Sequence, residues 1–191
     1  MKNDIIITGT GGQGTLLAAK IIAETALMNG CDARASESHG MSQRGGIVTT
    51  YVRYARDTVY SPVVNENADC VLAFELLEGY RAVPFLKQGG LLISSVQMID
   101  PTPVIAGLAD YPEDIQNKII NAGINAVFAD TLSMAEEAGS VKCANVVLIG
   151  VFASIVNDMP KNSWEAAIRA SVPPRLLDVN LQAFDIGYSY R

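Results

Sequence analysis

Apolar residues recur along this chain with two periods, and the switches between them lay out an alternation of strands and helices. Ile5 to Thr8 is a short β-branched run, and Thr15 to Met28 sets Leu16, Ala19, Ile22, Ala23 and Ala26 at helical spacing until Gly30 stops it. Asp32 to Ser36 fits a second short strand, and a polar loop follows from Glu37 to Gly46. Ile47 to Tyr54 alternates with a period of two, which marks a strand with two different faces. Val71 to Phe74 reads as a buried strand, and Leu76 to Phe85 as a helix entered through Glu75. Lys87 to Gly90 reads as a turn into the strand Leu91 to Ser95. Asp100 to Pro112 carries three prolines and is expected as a surface loop.

Beyond that loop the pattern predicts a helix over Glu113 to Ala122, a strand over Ala126 to Ala129 and a helix from Thr131 to Ala138, stopped at Gly139. Asn145 to Val156 is apolar all round and fits a buried helix or a strand-helix mixture. Asn162 with Glu165 has the spacing of a capping box for a helix through Ala170. Pro173-Pro174 breaks the chain before a last amphipathic helix, Arg175 to Tyr188. Such an alternation with short connections predicts an α/β fold: one Rossmann-like domain over residues 1–191, its sheet mostly parallel, with helices on both faces.

Composition narrows the partners. A chain of 191 residues, 49% of them hydrophobic, is large enough for one well-buried core. Its 14 basic and 20 acidic residues leave a net charge of -6, which disfavours nucleic acid, so any anion must be caught locally. The most apolar run, Val146 to Val156, is far shorter than the ~20 residues of a spanning helix, and no secretory h-region follows Met1; the expectation is a cytoplasmic protein with no membrane partner. Cys31, Cys70 and Cys143 are scattered, with no C-x-x-C, and read as buried reduced thiols rather than metal ligands. Glu24, Glu136, Glu137 and Glu165 read as solvated helix faces, and Trp164 as packing.

Two segments carry chemistry. Gly9-Thr10-Gly11-Gly12-Gln13-Gly14 follows a strand and opens a helix, with Gly9, Gly11 and Gly14 in the G-x-G-x-x-G pattern. Glycines there allow backbone to approach phosphate, and the first helical N–H groups point at it. Glu37 lies 23 residues after Gly14, near where a ribose-binding acid would sit in a dinucleotide enzyme. An NAD(P)-dependent dehydrogenase is therefore one reading, and a tight turn without ligand another. The second segment, Ser38-His39-Gly40-Met41-Ser42-Gln43-Arg44-Gly45-Gly46, holds the only histidine of the chain. Arg44 offers a guanidinium fork for phosphate or carboxylate, flanked by Gly45 and Gly46. His39 reads as a docking and hydrogen-bonding residue, since no nucleophile stands beside it for acid–base work.

Together these two blocks, with Val59-Tyr60-Ser61-Pro62, Asn145 to Gly150 and Asn180 to Phe184, resemble the gamma-type subunits of 2-oxoacid:ferredoxin oxidoreductases. The second block is most similar to the small subunits of the indolepyruvate-oxidising members. The resemblance implies a thiamine-dependent oxidative decarboxylation of a 2-oxoacid to acyl-CoA with reduction of ferredoxin; the second block points to an arylpyruvate, with pyruvate, branched-chain and 2-oxoglutarate versions left open. It implies that thiamine diphosphate, magnesium and [4Fe-4S] clusters reside on a larger partner subunit, that ferredoxin is met through the complex, and that this chain binds no cofactor tightly and is inactive alone. The chain has neither a G-D-G thiamine motif nor a cluster-forming cysteine set. The implied site is a coenzyme A phosphate or interface site at Gly9, Gly11, Gly12, Gln13, Gly14, Glu37, His39, Gln43, Arg44, Gly45 and Gly46, with no catalytic residue of its own. Self-association and a purely stabilising role are left open at this stage.

Overall fold

All six expected strands form, and the order in which they pair is what periodicity could not give. The computed structural model describes residues 2–39, 46–64 and 66–190. The elements run β1 (Lys2–Thr10), α1 (Thr15–Met28), β2 (Asp32–His39), β3 (Ile47–Ala55), β4 (Ala68–Ala73), α2 (Leu76–Ala82) and β5 (Leu86–Ser95). They continue through α3 (Thr102–Ile105), α4 (Ile115–Asn121), β6 (Asn125–Ala129), α5 (Thr131–Glu137), α6 (Ala144–Val156), α7 (Lys161–Ser171) and α8 (Leu177–Tyr188). The strands make one sheet in the order β2-β3-β1-β4-β5-β6. β1, β4, β5 and β6 pair in parallel, while β3 runs antiparallel to both β1 and β2. The result is a single α/β domain with a mostly parallel sheet.

Both faces are covered, as alternation of apolar side chains along β1 requires. Ile5 and Ile7 point into a core closed by α1, α5, α6, α7 and α8, and Ile6 points into a smaller one closed by α2 and α4. Trp164 sits in the larger core, edge-on to Phe152 and stacked on Phe184, so it is packing, as expected. Cys31, Cys70 and Cys143 are buried as well. No helix among the described residues is long and apolar enough to cross a membrane.

Five local expectations need correction. β2 runs three residues further than expected, so Glu37, Ser38 and the backbone of His39 belong to a strand that pairs with β3 and not to a loop. Lys87 to Gly90 is no turn but a bulged excursion inside β5, where the register against β4 slips between Ala68 and Cys70. The capping box at Asn162 does not form: Pro160, with its φ fixed and ψ at 144°, ends the extended chain and α7 starts at Lys161, which ion-pairs with Glu165 at 3.6 Å. The loop after Asp100 contains the short helix α3, and Pro84 tightens the end of the helix beginning at Leu76 into a 3-10 turn. Glu75 does cap α2, accepting from the Glu78 N–H at 2.8 Å.

α6 resolves as a helix whose residues Asn145 to Ala153 are all buried. It meets α8 backbone to backbone. A Cβ on Gly150 would lie 2.7 Å from the Tyr188 nitrogen, and one on Gly187 would run into the Val147 carbonyl. Gly187→Ala should therefore force the helices apart and destabilise the domain by roughly 1–3 kcal/mol or more, read as a lowered urea midpoint with an unchanged slope. A midpoint within error of the parent would show that the crossing tolerates a methyl group.

Candidate functional site

The glycine turn ends β1 at the rim where β4, β5 and β6 also end, the edge at which parallel α/β sheets carry their ligands. Gly14 immediately precedes α1 with φ at 83°, a left-handed conformation suited to glycine, and Asn145 packs so closely that a Cβ there would clash. Gln13 folds back over the strand end. Its Oε1 accepts from the Thr10 N–H at 2.8 Å and the Thr10 hydroxyl at 3.2 Å. Its Nε2 donates to the Phe74 carbonyl at 2.9 Å and to Gln97 Oε1 at 3.0 Å. Gly9 is small for this reason: a Cβ there would stand 2.7 Å from Gln13 Oε1 and 3.2 Å from Phe74 Cβ. The first glycine thus makes room for a side chain of the protein itself.

Outside Gln13 lies a cleft of about 160 Å³ that draws on elements distant in sequence. Gly12 and Gln13 come from the turn, Gln97 from just beyond β5, Thr131 from the start of α5, Lys142 from a 3-10 turn that leads into α6, and Asn145 from the first turn of α6. α1 and α6 both begin without a side-chain cap and without an acid in the first turn. Lys142 gives this rim a cation, whereas the first amides of α6 are taken up within the protein, the Ala144 N–H donating to the Val141 carbonyl and the Val146 N–H to Asn145 Oδ1 at 3.0 Å. Sequence reasoning missed Gln97, Thr131, Lys142 and Asn145 as site residues. They follow no motif, and only the Asn145 to Gly150 segment had drawn notice.

The second block reaches the turn through the β2–β3 hairpin. The Gly11 N–H donates to the Gly46 carbonyl at 3.0 Å, and Thr10 pairs with Ile47 in the ladder, so the two blocks are hydrogen-bonded neighbours. Glu37 is placed differently from a ribose-binding acid. β3 stands between β2 and β1, with Glu37 opposite Thr50 and Thr50 opposite Ile7, so Glu37 is roughly 10 Å to the side of β1 and below its end. It lines a separate groove beside Leu16 and Lys20 of α1. Gln43, Arg44 and Gly45, together with Gly40, Met41, Ser42 and the side chain of His39, lie outside the described residues.

The comparisons decide the family. Residues 4–190 match the model of the pyruvate ferredoxin/flavodoxin oxidoreductase family. The chain belongs to that family. The Pyrococcus horikoshii protein "Indolepyruvate oxidoreductase subunit IorB" is 43% identical over 190 residues, covering 96% of this chain and 93% of its own length. The Thermococcus kodakarensis protein of the same name is 40% identical over 188 residues, with the same coverage of 96% and 93%. A solved gamma subunit of a keto/oxoacid ferredoxin oxidoreductase from Geobacter sulfurreducens superposes with a TM-score of 0.73 at 24% identity, covering 97% of this chain and 96% of that one. This is a gamma-type subunit of a 2-oxoacid:ferredoxin oxidoreductase, and the free-standing dehydrogenase reading falls with the displacement of Glu37.

Two measurements probe this architecture. Gly9→Ala should drive the Gln13 amide from its pocket and cost roughly 1–3 kcal/mol, with loss of its protected side-chain amide signal in NMR spectra. Asp130, which caps α5 beside the cleft, is held below the usual aspartate range by the Ser133 hydroxyl at 2.7 Å and then by the Ser133 N–H. Because its folded pKa is lowered, its stabilisation is complete above the ordinary aspartate value of about 4 and is lost as pH falls through the lowered one. Parent and Asp130→Ala should therefore differ in melting temperature at neutral pH and converge in strong acid. A difference independent of pH would exclude the carboxylate as the cause.

Proposed function

We propose that this chain is the small subunit of an indolepyruvate:ferredoxin oxidoreductase, and that the cleft at the glycine turn receives the phosphate-bearing end of coenzyme A. The observation that carries the substrate is the 40–43% identity, over nearly the full chain, to relatives named for indolepyruvate. In the proposed reaction the 2-oxoacid releases its carboxylate as CO2, its acyl carbon becomes bonded to the coenzyme A sulfur, two electrons pass one at a time to ferredoxin and one proton is released. Thiamine diphosphate with its magnesium ion supplies the carbanion chemistry, and iron–sulfur clusters the electron path. The residues of this chain do not fit either group. Its three cysteines are buried in separate parts of the chain, and the described residues contain no cluster of three or more His, Cys, Asp and Glu placed to hold a metal. Both groups are assigned to the larger subunit.

What this chain contributes is a phosphate-seeking rim and a docking loop. The cleft is smaller than the ~300–1,000 Å³ of sites that enclose whole drug-sized ligands, so it suits one end of an extended molecule. Gln43, Arg44 and Gly45 lie in sequence between His39, the last residue of β2, and Gly46. In this reading Arg44 holds a phosphate or carboxylate across the junction with the catalytic subunit, and His39 contributes a hydrogen bond.

Co-expression with the larger subunit tests the proposal. The assembled complex should reduce ferredoxin with indolepyruvate in a coenzyme A-dependent way, and this chain alone should not. Arg44→Lys keeps the charge but loses the fork, and should lower kcat/KM for coenzyme A by roughly 1–3 kcal/mol while His39→Gln retains most turnover. A complex that prefers 2-oxoglutarate to indolepyruvate would overturn the substrate assignment.

A further inference from the structure

We infer that the Gln13–Gln97 amide pair fixes the polarity of the cleft, and that Gln97 is a specificity-determining residue presenting a hydrogen-bond donor to a phosphate-class ligand. This rests on the reading of the cleft as the coenzyme A site. Heavy-atom positions alone do not tell the oxygen of a glutamine amide from its nitrogen, but here the backbone settles both. The Thr10 N–H can only donate, so the amide atom 2.8 Å away is Gln13 Oε1. The Phe74 carbonyl can only accept, so the atom 2.9 Å from it is Gln13 Nε2. That nitrogen has a second proton, directed to Gln97 at 3.0 Å, and Gln97 must meet it with Oε1. The Gln97 NH2 is left over. No described hydrogen bond takes up its two protons, and Gln97 lines the cleft.

The arrangement cannot readily invert. Turning the Gln97 amide over would set NH2 against NH2, and turning Gln13 as well would set its nitrogen against the Thr10 N–H. The Gln97 backbone is held on both sides, its N–H donating to Ser95 Oγ at 3.1 Å and its carbonyl accepting from the Leu76 N–H at 2.8 Å. None of the residues lining the cleft is acidic and Lys142 adds a cation, while the nearby Asp130 carboxylate is engaged by the Ser133 hydroxyl and N–H at the start of α5. A pocket offering donors from the Gln97 amide and the Lys142 ammonium favours a ligand made of acceptors, which is the chemistry of phosphate oxygens.

Titrating coenzyme A into the assembled complex separates this from a structural role. Gln97→Glu keeps the oxygen that accepts from Gln13 but replaces the donor with negative charge, whereas Gln97→Met breaks the contact to Gln13 and adds no charge. A specificity role requires Gln97→Glu to raise Kd by about tenfold or more and Gln97→Met by less. A structural role requires the reverse order, and that result overturns the inference. Should Gln97→Met fail to assemble, Gln97→Glu alone suffices: its affinity relative to the parent must recover as pH falls from 7 to 4, through the ordinary glutamate value of about 4.3, as the introduced carboxyl gains a proton to donate, and a constant ratio overturns the proposal. Lys142→Glu tests the underlying reading. If it weakens coenzyme A binding while Gln97→Glu does not, only the role of Gln97 fails; if neither changes Kd, the cleft is not the coenzyme A site and both fall.

Discussion

A helix buried on every side over nine successive residues organises one side of this domain. Residues Asn145 to Ala153 of α6 are all buried, so the chain must supply cover in every direction around it. The sheet, α1, α5 and α8 do so, and at α8 the contact is close enough to exclude a methyl group at Gly150 and Gly187. Fixing α6 this tightly fixes where it starts. Its first turn is pressed against Gly14, which brings Lys142 and Asn145 to the rim of a turn more than a hundred residues earlier in the chain. The cleft is a by-product of core packing, and its rigidity is borrowed from there.

The same sheet shows how a familiar pattern changes meaning with topology. In a dinucleotide fold the strand after the first helix lies directly beside the first strand, and its terminal acid faces the ribose. Here an antiparallel strand is inserted between them, and Gln13 occupies the space over the strand end. The glycines serve two masters: Gly9 admits a side chain of the protein, and Gly14 adopts a backbone angle that starts a helix under a neighbouring asparagine.

Much of the architecture was legible because periodicity is a local signal. α1 appeared with its observed ends, Thr15 and Met28, since Gly14 and Gly30 punctuate it, and α2 was rightly entered through Glu75. Misreadings arose where partners distant in sequence decide the outcome. β2 continues through Glu37 and Ser38 because β3 offers a ladder for them, which their polar side chains do not announce. Lys87 to Gly90 looked like a turn and is held in the sheet by β4. For the site, the two glycine-rich blocks and their adjacency could be expected, and the family resemblance agrees with the full-length match. Gln97, Thr131 and Lys142 could not, because each becomes a site residue only through the positions of three other elements.

The insertion of β3 also ties the rim to the folding of the whole domain. The Gly11 N–H meets the Gly46 carbonyl only after the β2–β3 hairpin has docked on β1, and Asn145 reaches Gly14 only after α6 has packed. Neither half of the rim exists in a partly folded chain. A molecule that bound there would recognise the completed domain and, by mass action, stabilise all of it at once.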